Sequence, residues 1–119
     1  MKILILGASQ VGVSIAEVLV AEDNDVTVVD INKQALIQLQ NRLDIRTVAG
    51  NAAHPSVLLA AGAEDASLIL AVTDNDEVNL VACQIVESQF STPTRIARLR
   101  SSEYLENPQL FDGDAALNN

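Results

Sequence analysis

Short aliphatic runs alternate along this chain with segments of helical spacing, and that alternation leaves few folds open. The runs are Lys2 to Leu6, Asp25 to Asp30, Ile45 to Ala49, Ser67 to Val72 and Arg95 to Leu99. Each is apolar nearly throughout and lacks in-and-out alternation, the pattern of strands buried on both faces of a parallel sheet. Between them, Val11, Ile15, Val18 and Leu19 recur at the spacing of one helix face, as do Leu36, Leu39 and Leu43, then Val78, Val81, Ala82 and Ile85. Helix after strand, repeated, requires right-handed βαβ crossovers and a sheet covered on both sides. The expected fold class is α/β, a doubly wound sheet, mainly parallel, with helices on both faces.

Local punctuation agrees with those limits. Gly50-Asn51 follows the third run, Pro55 suits the first turn of a short helix, and Gly62 can end it. Thr92-Pro93 closes the long helix before the fifth run. Ser101 or Ser102 can cap a short helix through Leu105, with Pro108 beyond it. Residues 1–119 therefore read as a single domain, and residues 108–119 as a poorly structured polar tail with no clear sixth strand.

Composition excludes several classes of function. Seven basic against 16 acidic residues give a formal net charge of −9. A protein that tracks nucleic-acid phosphates has a basic footprint, so no nucleic-acid partner is expected. The aromatic residues Tyr104, Phe90 and Phe111 are too few for base stacking. Cys83 is the single cysteine and His54 the single histidine, so neither an internal disulfide nor a metal site is expected. No segment approaches the ~20 apolar residues that cross a bilayer, and the acidity opposes direct contact with anionic lipid. The chain reads as soluble and intracellular, without direct membrane insertion.

The chemistry concentrates at the ends of the strands. Gly7-Ala8-Ser9-Gln10-Val11-Gly12 joins the first strand to the first helix, where a Rossmann-like dinucleotide fingerprint reads G-x-G-x-x-G. The outer glycines allow the tight turn and close helix–strand packing, and free amides at the helix start hold a diphosphate. Ser9 stands in place of the middle glycine; its hydroxyl can bond a phosphate oxygen, while its Cβ crowds the approach. The fingerprint places an acid about 20 residues further on, and Asp30 stands there at the end of the second strand. A carboxylate there accepts bonds from ribose hydroxyls and repels a 2′-phosphate. The expected ligand is an adenosine nucleotide with a free 2′-OH, NAD(H) or ATP/ADP and not NADP. Lys33 nearby reads as an exposed helix-start residue.

Other strand ends are more ambiguous. Asn51 can bond a base edge or cap the next helix, and His54 reads as a surface or capping residue. Thr73 and Asp74 can cap the long helix, whose first turn also carries Asp76 and Glu77. Thr73, Asn75 or Asn79 can equally hold a sugar or phosphate. Strand alternation puts Arg98 and Arg100 on one face, either to fork onto a phosphate or to pair with local acids such as Glu103.

With these residues in place, the chain resembles the RCK (regulator of potassium conductance) or TrkA-N domain family. The likeness runs from Met1-Lys-Ile-Leu-Ile-Leu-Gly-Ala through Asp25-Val-Thr-Val-Val-Asp30. It continues through Ala71-Val-Thr73-x-x-Asp76-Glu77-x-Asn79 and Val81-Ala-Cys-Gln84 to Arg95-Ile-Ala-Arg98-Leu-Arg100-Ser. The resemblance implies a regulatory domain that binds NAD(H) or ATP/ADP and assembles into dimers or higher rings. It implies docking on a membrane potassium transporter subunit, hence a cytoplasmic place peripheral to the inner face of the membrane. It also implies that the backbone from Ala8 through Ser9, Gln10 and Val11 to Gly12 holds phosphates, with Gly7 in the same binding loop. Asp30 would hold the ribose, Asn51 and Ala52 would sit beside adenine, and Thr73 near the phosphates or second sugar, with Ile31 and Val72 also among the binding residues. Arg98 or Arg100 would reach phosphate. Two departures stand out: Ser9 replaces the usual middle glycine, and Gln10 stands where some relatives carry a phosphate-reading arginine. Chains of this family continue through a crossover helix, so this one reads as truncated before it.

The rival readings are the cofactor-binding half of an NAD-dependent oxidoreductase and an assembly domain whose pocket Ser9 has closed. Hydride transfer usually needs a proton donor or acceptor beside the substrate. Lys2 and Lys33 are the only lysines, and His54 falls on the adenine side. No catalytic residue is assigned, and no turnover is expected.

Overall fold

The computed structural model describes residues 1–92 and 94–107. Its elements run β1 (Lys2–Leu6), α1 (Gln10–Ala21), β2 (Asp25–Asp30), α2 (Lys33–Gln40), β3 (Arg46–Ala49) and α3 (Pro55–Ala60). A 3-10 turn at Ala63–Asp65 follows, then β4 (Leu68–Ala71), α4 (Asp76–Gln89), β5 (Thr94–Ala97) and α5 (Ser102–Leu105). The readings placed on Pro93, Pro108 and residues 108–119 lie outside the described residues.

The strands form one parallel sheet in the order β3-β2-β1-β4-β5. This is the doubly wound α/β arrangement. The winding reverses between β1 and β4, so the loops after those strands diverge and leave a crevice at their carboxyl ends. Side chains alternate across the sheet. Ile3, Ile5, Val26 and Val28 pack with Ala16 of α1 and with Leu36 and Leu39 of α2. On the other face Leu4, Leu6, Val29, Ile69 and Ala71 meet Leu58 of α3 and Ala82, Cys83 and Val86 of α4. Truncating a side chain as enclosed as Leu4 or Leu6 would cost about 2–5 kcal/mol.

Three strands are shorter than the aliphatic runs suggest. The ladder stops where β1 stops: Leu6 pairs with Ala71, and Ala71 with Ala97. Past that line only single bonds continue, from Val72 N–H to the Leu6 carbonyl and from Arg98 N–H to the Ala71 carbonyl. Val72, Arg98 and Leu99 are thus loop residues, Ile45 and Ser67 fall just before the amino ends of their strands, and β5 begins at Thr94.

Two helix faces also differ from the spacing. In α1 the buried residues are Gly12 and Ala16, and Val18 is exposed. A β-carbon on Gly12 would lie 1.9 Å from the Gly7 carbonyl oxygen, so the helix sits too close to the turn for larger side chains there. In α4 the buried face is Asn79, Ala82, Cys83 and Val86, while Val81 is exposed. A buried asparagine rotates that face away from the hydropathy stripe.

Candidate functional site

The turn after β1 is built from contacts that only glycine allows. Gly7 has φ +118, and a β-carbon there would lie 2.9 Å from both the N and Cα of Thr73. The turn therefore abuts the backbone of the loop after β4. Ser9 is the N-cap of α1 in ordinary extended geometry, yet its side chain makes no capping bond. Its Oγ is buried with no hydrogen-bond partner. By contrast Asn32 caps α2 and Asn75 caps α4. The opening amides of α1, from Gln10 through Gly12, thus keep the uncompensated partial positive charge of a helix start. Val11 is half-buried against the core, and the Gln10 carboxamide donates to Ser14 Oγ at 3.4 Å.

Asp30 closes the other side of this turn. Its Oδ2 accepts from the Ala8 amide at 2.7 Å and its Oδ1 from the Asn32 amide at 2.7 Å. The same residue lines a cavity of about 390 Å³ at the carboxyl ends of the strands. Ile31 follows on the rim and is 77% exposed. Gly50, Asn51 and Ala52 after β3 and Thr73, Asp74 and Asn75 after β4 complete the enclosure. The volume falls in the range of about 300–1,000 Å³ typical of small-molecule sites.

The sequence left two roles open for Asn51, a bond to a base edge or a cap on the next helix, and the capping role does not hold. Its Oδ1 accepts from the Ala53 amide at 2.8 Å, closing a local turn, while α3 starts from His54 with Pro55 in its first turn. His54 is exposed and makes no side-chain cap. Ala52 is buried in the core beside the cavity, so it offers the site backbone and a methyl group.

On the β4 side, Thr73 and Asp74 do not cap α4; Asn75 does, accepting from the Val78 amide at 3.0 Å. Thr73 lines the cavity and is held by Asn79, which is completely buried and not among the lining residues. The Val72 side chain is packed in the core, leaving only its backbone near the crevice.

Arg98 and Arg100 follow the end of β5 and do not lie on a strand. Arg98 is half-buried between the buried Ala97 and Leu99, and Arg100 is exposed. The Arg100 guanidinium lies 3.9 Å from the Asp74 carboxylate, which takes the place expected for Glu103. Both oxygens of Asp76 accept from the Arg100 amide, at 3.0 and 3.1 Å, and one accepts from the Ser101 amide at 2.7 Å. Ser101 caps α5, where Tyr104 donates to Glu77 at 2.6 Å and its phenol is thereby pushed above its usual pKa.

The structure thus brings together Asp30, Ile31, Asn51, Ala52 and Thr73 around one cavity. The glycine turn borders it through the Ala8–Asp30 and Gly7–Thr73 contacts. Arg98 and Arg100 stand apart from the lining. Val29, Gly50, Asp74 and Val78 are lining positions that the sequence reasoning did not assign to a ligand. Among the described residues, no cluster of three or more His, Cys, Asp or Glu is placed to hold a metal ion. Cys83 is buried, and desolvation pushes its thiol from 9.0 up to about 11. It is an inert core residue.

Comparison with known proteins places this geometry in context. The chain is 54% identical over 115 residues to the Trk system potassium uptake protein TrkA of Halomonas elongata, covering 97% of this chain and 25% of that relative. It therefore spans about a quarter of that relative's length. Its fold matches the AMP-bound Shewanella denitrificans Kef CTD with a TM-score of 0.80 and 20% identity, over 96% of this chain and 69% of the other. It also matches the GsuK channel bound to NAD with a TM-score of 0.76 and 23% identity, over 92% and 20% of the two chains. The TrkA-N domain family model matches residues 3–118. Because that match runs from the first strand past the last described residue, the chain belongs to the TrkA-N domain family.

Proposed function

We propose that this chain is a regulatory nucleotide-binding domain without catalysis of its own. Its ligand is an adenosine nucleotide with a free 2′-OH, NAD(H) or ATP/ADP. The observation that carries the reading is the position of Asp30, whose carboxylate lines the cavity while bonding the Ala8 amide of the glycine turn. A carboxylate beside an uncapped helix start suits a ribose and the phosphate attached to it, which supports the reading. Because Ser9 makes no capping bond, the opening amides of α1 stay free for an anion, so the residues present fit such a ligand. Exposed Ile31 and the Asn51–Ala52 backbone supply an apolar face and polar edges for the adenine. For Arg100, reaching phosphate means leaving Asp74.

The wider role draws on the relatives. As part of a longer protein similar to the Trk potassium uptake relatives, this domain would control a membrane potassium transporter subunit, peripheral to the cytoplasmic face and in a homo-oligomer. Among the described residues no helix is long and apolar enough to cross a membrane, which suits attachment through a partner. Against the oxidoreductase alternative, Lys2 opens β1 at the far end of the sheet, and both Lys33 and His54 are exposed. None of these three lines the cavity.

Isothermal calorimetry with NADH, NADPH, ATP and ADP tests the reading. Binding of at least one ligand with a free 2′-OH, and much weaker binding of NADPH, is expected. Absence of heat with all four would leave a closed, vestigial pocket.

A further inference from the structure

We propose that Asn79 is a positioning residue that couples the nucleotide crevice to the segment leaving β5. The inference rests on the nucleotide reading above and goes beyond it by naming how occupancy is passed on. Asn79 is 0% exposed on the first turns of α4. A carboxamide offers two acceptor sites and two N–H donors, and all four are used here. Oδ1 accepts from the Thr73 amide at 3.0 Å and from Thr73 Oγ1 at 2.6 Å. Nδ2 donates to the Thr73 carbonyl at 3.1 Å and to the Arg98 carbonyl at 2.8 Å. The Thr73 N–H can only donate and the Arg98 carbonyl can only accept, so the orientation of the amide is determined by its neighbours.

One side chain thus joins a cavity-lining residue to the first residue after β5. From Arg98 onward the chain stays tied to the start of α4. Asp76 holds the Arg100 and Ser101 amides, and Glu77 accepts from Tyr104. The coupling follows from proton supply. The Thr73 hydroxyl has one hydrogen, and of the two acceptors in reach, Asn79 Oδ1 at 2.6 Å and the Asn75 carbonyl at 3.1 Å, the shorter contact takes it. A nucleotide oxygen that accepts from Thr73 must take that same hydrogen. Asn79 then loses one of its four bonds, and its hold on Arg98 readjusts. In a site of low dielectric, such a change is not made good by water.

The test is amide NMR of the 15N-labelled 119-residue chain titrated separately with ADP and NADH. Saturable shifts at the Ala8 and Thr73 amides report binding itself. The Asn79 side-chain NH₂ and the amides of Arg98, Arg100 and Ser101 are expected to shift with the same midpoint. Thr73→Ser should keep that distant response, and Thr73→Val should lose it while Ala8 still responds. Asn79→Asp keeps an acceptor for Thr73 but removes the donor to Arg98, so binding should persist and the response at Arg98 to Ser101 vanish. Should that variant fail to fold, the wild-type titration and the Thr73 pair decide alone. Shifts confined to Ala8 and Thr73 in the wild type, or a distant response that survives Thr73→Val, would overturn the coupling. Silence at Ala8 and Thr73 with both nucleotides would instead remove the nucleotide reading, and the coupling with it.

Discussion

Asp30 and Ala8 stand 22 positions apart in the chain, yet the Ala8 amide donates to Asp30 Oδ2 at 2.7 Å. The second carboxylate oxygen holds the Asn32 amide at the same distance. One acid thus ties the glycine turn to the start of α2. Its position at the end of β2 is therefore structural, apart from the ligand role proposed for it.

Replacing Asp30 should show both roles. Hydrogen bonds to a charged group contribute about 1.5–3 kcal/mol each. Asp30→Ala should lower unfolding stability by a few kcal/mol and weaken nucleotide binding by about 1–3 kcal/mol. Urea denaturation reads the first and calorimetry the second. Unchanged affinity in a folded variant would remove Asp30 from the ligand site.

Gly12→Ala should be far more damaging than Gly62→Ala. The new methyl at Gly12 would lie 1.9 Å from the backbone carbonyl of Gly7, which cannot move without opening the turn. Overpacking of this kind costs about 1–3 kcal/mol and sometimes more, and here the upper end is expected along with loss of nucleotide binding. Gly62 has φ +86 but open space around it, so only the left-handed backbone is strained, at about 1–2 kcal/mol. Comparing the two midpoints in urea checks the ranking.

Ser9→Gly removes a buried hydroxyl that has no partner in the protein. Relief of an unsatisfied polar group, worth about 1–3 kcal/mol, opposes the entropic cost of glycine, about 0.5–1 kcal/mol. Stability should hold or rise slightly, and nucleotide affinity should hold or improve. A marked loss of affinity by calorimetry would instead identify the hydroxyl as a ligand to phosphate.

Cys83 makes stability depend on alkaline pH. Its folded pKa of about 11 exceeds the usual 9.0 because burial disfavours the thiolate. The unfolded chain therefore releases its proton first, and stability falls as pH rises from about 9 to about 11. The loss is on the order of 2–3 kcal/mol, at 1.36 kcal/mol per pKa unit. Denaturation from pH 8 to 11 should show a steeper decline in the wild type than in Cys83→Ala. At neutral pH the thiol should resist alkylation until the protein unfolds.

Much of this protein was legible from local pattern. Alternating aliphatic runs and helical stripes specify a parallel sheet because periodicity follows directly from the geometry of strand and helix. Gly7, Gly12 and Asp30 were readable for the same reason, since a turn and a strand end impose their demands on nearby residues. Ser101 as a cap and Pro55 in a first turn belong to that class. Contacts between distant loops were decided only by the folded sheet. Nothing near Asn79 in the sequence reveals that α4 turns it inward to meet Thr73 and Arg98, because its partners converge only once β4 and β5 are paired. Likewise Arg100 meets Asp74 across the chain's return, and Val18 stays in solvent because Gly12 and Ala16 bring α1 close to the turn and sheet on a neighbouring face. Local sequence sets which elements form, whereas the order of strands sets which loop ends share a crevice.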